Sequence, residues 1–345
     1  MRGPRVLRIG MRCARLAGLA GVCFMLVVSA FLWGGRGEKG SLDEAAEMSF
    51  VEDAEASALT VRDHGVNVLT YHYGEHLPAA TDPRYARSCY IHPLFSPDGE
   101  VLTADFPADH LHHHGLFWAW PVVFARGIAT QTWAPADPSL RQRFVGWRER
   151  DIRGGLARLR VENNWTLDGR EVLARETVTI IVHPLERGGR AIDVELLITP
   201  VGGPLELRGS PEENKGYGGL CFRGAPLFQG AALTTDLGPL DEDSVDRRFR
   251  WADLSTARVG VAIFVSPAHP GYPTMWLVRT SYAGILNPAW PGLEGVRLQA
   301  GKSASLRYRL YVHRGDVAAG GVEDAYKRYI SEEKAGSDRA APRFR

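Results

Sequence analysis

The sequence predicts an all-β protein: a large antiparallel β-sandwich with one short C-terminal helix. Three observations carry this. From residue 58 onward, short runs rich in Val, Ile, Leu, Thr and Tyr alternate with Gly, Asp and Pro breakers. The pair Asp168-Gly169 stands between two long runs of this kind and supplies the positive φ angles of a type I′ hairpin turn. No 3.6-residue amphipathic pattern appears before residues 322–331, which read as the helix.

Taken in order, residues 58–62, the turn Asp63-His64-Gly65 and residues 66–73 read as a first hairpin. Residues 90–95, the turn Ser96-Pro97-Asp98-Gly99 and residues 101–103 read as a second, and 156–167 with 170–182 as the longest. Further strands are expected at 144–153, 191–199, 205–208, 217–223, 258–265, 275–280 and 303–313. No fixed-period repeat is visible, and no Pro/Gly linker divides residues 58–331, so one sandwich domain is expected there. Residues 332–345 read as a polar tail.

Ahead of the domain the charge is strongly uneven, although the net formal charge of the chain is only +1. Residues 1–30 hold Arg2, Arg5, Arg8, Arg12 and Arg15 and no acid, giving +5. The 18 residues from Leu16 to Trp33 are uncharged and mostly apolar. Positive residues before an apolar run mark export, with the arginines held on the cytoplasmic side. Residues 1–33 then have two outcomes: a signal peptide cut after Val28-Ser29-Ala30, or an uncleaved membrane anchor. Either places the domain in a periplasmic or other extracytoplasmic compartment, with any membrane contact confined to the N-terminal segment. Residues 34–57 carry seven acids against Arg36 and Lys39 and read as an acidic flexible tether. The remainder holds 34 basic and 33 acidic residues, a balance that leaves no electrostatic basis for binding nucleic acid. Outside the leader only Cys89 and Cys221 remain, enough for one disulfide or two buried thiols, and no CxxC motif is present.

The chemistry concentrates at residues 105–115, where His110, His112, His113 and His114 follow Asp105 and Asp109. In an extended chain His110, His112 and His114 share one face. Such histidines can perform acid/base work or hydrogen-bond a sugar, because imidazole titrates near neutrality. They can instead bind a divalent metal at His110, His112 and His114, with bonds of about 2.0–2.1 Å and a further ligand from Asp105, Asp109 or His92. In a helical turn the set would be His110, His113 and His114. Trp118 and Trp120 follow on the same face as His114 if the strand continues, as sugar-stacking rings or as core tryptophans. A second constellation, residues 211–224, packs Glu212, Glu213, Lys215, Tyr217 and Arg223 among glycines that admit close backbone approach to a ligand. Its acids are candidate general bases, its Lys215 a candidate catalytic group, and its Tyr217 and Arg223 candidate binding groups. His269, between Pro267 and Pro270, reads as a loop residue.

Residues 90–99, Asp105-Phe106-Pro107, Asp109-His110 and the run from His112 to Trp120 resemble the bacterial family labelled methane oxygenase PmoA. Lys215-Gly216-Tyr217-Gly218-Gly219 with Phe222-Arg223-Gly224, and His269-Pro270, resemble its second and third motifs. The resemblance covers about residues 58–331, and Leu111 stands where proline is frequent in that family. It implies a copper- or iron-dependent oxygenase with the metal on the histidines. A fold-level resemblance to galactose-mutarotase-like supersandwiches implies instead a small-molecule carbohydrate substrate. The leading expectation is an exported protein acting on a sugar or modified glycoside through His110, His112, His114 and Lys215, with His92, Asp109, Trp118, Trp120, Tyr217 and Arg223 binding substrate. Epimerisation, elimination and hydrolysis all stay open. The alternatives are the metal oxygenase and a non-catalytic envelope glycan-binding module.

Overall fold

A computed structural model of the chain describes residues 48–186 and 188–340. The leader, residues 34–47 of the tether and the last five residues of the tail lie outside the described residues.

Two nine-stranded antiparallel sheets form the sandwich. The first runs Met48–Asp53, Ala58–Asp63, Val66–His72, Tyr90–Leu94, Leu116–Ala119, Gly219–Arg223, Ile285–Ala289, Thr274–Arg279, Ser244–Phe249. The second runs Gly238–Leu240, Ala232–Thr235, Trp251–Ser255, Val259–Val265, Ala304–Arg314, Gly189–Pro200, Glu171–Val182, Leu156–Leu167, Leu140–Arg153. A small four-stranded sheet is made by Val296–Leu298, Leu205–Arg208, Val122–Ala125 and Ile128–Thr130. The fold class expected from the sequence is the one observed.

Side-chain alternation distributes the apolar residues over three layers. Val61, Leu116, Trp118, Phe222, Trp276 and Leu286 of the first sheet meet Leu159, Val178, Leu196, Val261 and Leu310 of the second in the main core. The other face of Val259–Val265 presents Ala262 and Phe264, which with Trp251 and Tyr311 receive Val322, Ala325, Tyr326 and Tyr329 of the C-terminal helix Val322–Ala340. The helix thus runs nine residues beyond the expected 331, into the segment read as tail. On the outer face of the first sheet, Tyr90, Phe117, Ala119, Cys221, Leu277 and Ile285 form a third apolar layer, capped by Trp133. This layer is the floor of the site described below.

The long hairpin forms as read: the Arg170 amide donates to Leu167 O at 3.0 Å, and Asp168 and Gly169 sit at φ +48 and +69. The acidic segment differs from expectation. Residues Met48–Asp53, assigned to the tether, form an edge strand on Ala58–Asp63. Cys89 and Cys221 are free buried thiols, and burial pushes the Cys89 pKa up to about 12.

A histidine-lined candidate active site

Residues 107–113 fold as two consecutive turns instead of a strand. The His110 amide donates to Pro107 O at 2.9 Å, and the His113 amide donates to His110 O at 2.9 Å. The Phe106 amide closes the loop on His113 O at 3.0 Å. Gly115 then turns the chain into strand Leu116–Ala119 at φ +36, and a Cβ there would lie 2.3 Å from Ile91 O. Only glycine fits this approach.

The turns change which histidines meet. The rings of His110 and His113 stack at 4.7 Å with 9° between planes, and His112 packs against both at 5.6 and 4.7 Å. His110, His112 and His113 line a cavity of about 320 Å³ with Trp133, Lys215, Tyr217, Glu212, Leu277, Arg279, Tyr282 and Ile285. That volume matches the lower end of ligand pockets. Trp133 and Tyr217 form an aromatic wall, with centroids 4.7 Å apart.

His114 goes elsewhere. Its Nδ1 lies 3.0 Å from Asp105 Oδ1, and the Tyr90 hydroxyl donates to Asp105 Oδ2 at 2.8 Å. Asp105 therefore fixes the His114 tautomer with Nδ1 protonated and Nε2 as acceptor. His114 lines a separate small cavity of about 40 Å³, which shares His112 and Trp133 with the larger one. His92 does not reach the larger cavity; its Nδ1 lies 2.9 Å from Thr103 Oγ1. Burial holds the His92 pKa down at about 4 against the pull of Asp105.

Two corrections follow from this geometry. Trp118 and Trp120 are fully buried in the core between the sheets, so neither offers a face to a sugar. The positive φ at Gly115 interrupts the pleat, so His114 packs against Phe117 and Tyr90 on the outer face while Trp118 points inward. A metal on His110, His112 and His114 is also overturned. The first two belong to one cavity, the third is bonded to Asp105, and among the described residues no group of three or more His, Cys, Asp or Glu is placed to hold an ion.

Electrostatics sort the remaining groups. The buried guanidinium of Arg223 donates through Nη2 to both Asp109 oxygens at 3.0 and 2.8 Å, and Nη1 lies 3.4 Å from His113 Nδ1. Burial works against ionisation of Asp109, but Arg223 and His110 hold its carboxyl below the usual range. Asp109 Oδ2 also faces His110 Nδ1 at 3.2 Å. Burial, reinforced by His110 and Arg223, brings the His112 pKa down to about 4, so this imidazole is neutral at physiological pH. Burial brings His113 lower still, to about 2. Lys215 lies 2.8 Å from Glu213 and 3.6 Å from Glu212; the hydrogen bond to Glu213 raises its pKa, which keeps it an ammonium and unsuited to act as a base. His269 accepts the Gly271 amide at Nδ1 and meets the Tyr308 hydroxyl at Nε2, a loop-holding role.

Of the expected residues, His110, His112, Glu212, Lys215 and Tyr217 come together in the cavity, with Asp109 and Arg223 beside its histidines. His113, named only as a member of the set for a helical turn, lines it too, and Trp133, Arg279 and Tyr282 line it without having been expected there. Trp133 carried a sequence signal, an isolated tryptophan in a Thr/Pro loop outside any strand pattern. Arg279 carried none beyond its place at a strand end.

A family model described as a family of unknown function (DUF6807) matches residues 58–327. The chain belongs to this family. The methane-oxygenase expectation is thereby corrected: the DUF6807 model is the one that matches, the expected metal cluster is not formed, and among the described residues no helix is long and apolar enough to cross a membrane. The membrane contact expected through the N-terminal segment falls on residues 16–33, which lie outside the described residues. No curated protein matches the DUF6807 chain. Among solved structures it is similar to the GalM/aldose epimerase homologue of C. elegans, at 9% identity over 78% of this chain and 100% of that one, TM-score 0.36. It is also similar to galactose 1-epimerase from Lactobacillus acidophilus NCFM, at 10% identity over 78% of this chain and 95% of that one, TM-score 0.36.

Proposed function

We propose that this DUF6807 protein is an exported enzyme that performs acid/base chemistry on a sugar or modified glycoside. The observation that carries the reading is the pairing of a neutral imidazole, His112, with a second, His110, whose Nδ1 lies 3.2 Å from Asp109 Oδ2, in a single aromatic-walled cavity of about 320 Å³. In this reading His112 takes a proton from the substrate and His110, beside the Asp109 carboxylate, returns one. Arg223 fixes Asp109, and His113 stacks behind His110, so both imidazoles are positioned before substrate arrives. Trp133 and Tyr217 supply the apolar face on which the C–H surface of a sugar ring rests, and Lys215 contributes a fixed positive charge. The arginine-then-apolar leader supports export.

The test is turnover of a panel of glycosides and free sugars by the purified domain, followed by chromatography of products. His112→Ala should lower kcat by about 10²–10⁴-fold, the usual contribution of a positioned acid or base. Sugar binding without any turnover would leave a glycan-binding module in place of an enzyme. Turnover unchanged in both His112→Ala and His110→Ala would remove the histidines from the chemistry.

A further inference from the structure

Among the described residues, the charged side chains around the cavity all have a partner at ion-pair distance except Arg279, whose field reaches Glu213 from farther off. Arg223 is paired with Asp109, and Lys215 with Glu213 and, at longer range, Glu212. Glu212 also receives the Tyr217 hydroxyl at 3.4 Å. Arg279 has no ion pair, and its Nε is buried without a hydrogen-bond partner among the described residues. It is the last residue of strand Thr274–Arg279, where Trp276 and Val278 point into the core and Leu277 and Arg279 line the cavity on the opposite face. A guanidinium stripped of part of its hydration and left unpaired costs free energy that a ligand can return.

We propose that Arg279 is a substrate-binding residue that selects a sugar bearing one negative charge, a carboxylate such as that of a uronic acid. The proposal rests on the sugar-processing reading above and narrows its substrate class. The planar fork of arginine matches a carboxylate through two parallel N–H···O bonds. The charge count favours a monoanion. Arg279 offers a single guanidinium, and the carboxylates of Glu212 on the same wall and of Glu213 within its field would repel the second charge of a phosphate monoester. The size fits as well, since a cavity of about 320 Å³ accommodates a single sugar ring more readily than a chain. With its carboxylate on Arg279, the ring would lie between the Trp133–Tyr217 wall and the imidazoles of His110 and His112, all of which border the same space.

Calorimetric titration of the unmodified domain tests this, using the methyl glycosides of glucuronate and galacturonate beside those of glucose and galactose. At least one uronide should bind about tenfold or more tightly than its neutral counterpart, a difference of about 1.4 kcal/mol. In Arg279→Gln the ratio should fall to within about twofold, and Arg279→Lys, which keeps the charge but not the fork, should lie between. Thermal unfolding of both variants establishes that they are folded, and Arg279→Lys carries the comparison if Arg279→Gln is not. Neutral glycosides binding as tightly as uronides, or a uronide preference that survives Arg279→Gln, would overturn the proposal. So would tighter binding of glucose 6-phosphate or glucose 6-sulfate than of any uronide. Arg279-dependent uronide binding without turnover would sink the acid/base reading alone and sustain the substrate class. Turnover of neutral sugars only, dependent on His112, would do the reverse.

Discussion

At the scale of single residues, Gly115 decides what the histidine motif can do. Its φ of +36 and the 2.3 Å approach of Ile91 O to a hypothetical Cβ make it the hinge between the histidine turns and strand Leu116–Ala119. Gly115→Ala should cost about 1–3 kcal/mol, from backbone strain and a clash with backbone that cannot move aside. Urea unfolding measures the loss, and an unchanged midpoint would mean that the turn is not constrained as described. The two kinds of tryptophan give a second contrast. Trp118→Ala should remove about 3–5 kcal/mol of stability, because the ring is fully buried between the sheets. Trp133→Ala should weaken sugar binding, because its ring lines the cavity. Binding lost with Trp118→Phe but retained with Trp133→Ala would invert these roles. Much of the site was legible at this scale: residues 105–115 and 211–224 were both recognised as chemical constellations, and the fold joins them. Their internal geometry was not. Even spacing put His110, His112 and His114 on one face, but that inference needs an unbroken pleat, and two turns and a positive-φ glycine break it.

At the scale of elements, strands with one open face announced themselves, whereas strands covered on both faces were read unevenly: Gly219–Arg223 and Val259–Val265 were expected, and two others were not. Leu156–Leu167 and Glu171–Val182 alternate between buried and more exposed residues and flank an Asp-Gly turn, so their pattern and their joint agree. Trp251–Ser255 and Ile285–Ala289 are buried at every position, which erases the period-2 signal, and Pro288 further disguises the second. Met48–Asp53 was hidden for another reason. Its outer end is Val51, Glu52 and Asp53, all exposed, and the acids that made the segment look like a tether are the charges that protect a sheet edge. Glu52 also accepts from the Tyr73 hydroxyl at 3.0 Å and pairs with Arg150 at 2.7 Å, tying the strand to both sheets. A chain beginning at residue 58 should therefore unfold at lower temperature than one beginning at residue 34. With Ala58–Asp63 as its uncovered edge, it should also self-associate. Calorimetry and light scattering at matched concentrations check both, and equal unfolding temperatures with no added scattering would return residues 48–53 to the role of a tether.

At the scale of the whole molecule, burial of neutral imidazoles makes stability depend on acid. Six histidines are held below their ordinary pKa with burial as the largest cause: His92 and His112 at about 4, His269 at about 3, His113 at about 2, and His72 and His114 also lowered. In the unfolded chain each would titrate near pH 6.5. Below that value the unfolded state binds more protons than the folded one, so stability falls with falling pH. The fall continues until each folded-state pKa is reached, and above about pH 7 these groups add no pH dependence. Each contributes a slope of at most about 1.4 kcal/mol per pH unit in that window. Asp105 acts in the opposite sense, since burial raises its carboxyl, but it is one group against six. The urea midpoint should accordingly be steady from pH 7 to 9 and decline steeply from pH 6 to 4.5. His113→Asn removes one of the six, so in a folded variant the decline over that interval should shrink by about 1.4 kcal/mol per pH unit. A slope unchanged by His113→Asn would show that this ring is not buried neutral behind His110, and the positioning of the proposed acid/base pair would fall with it.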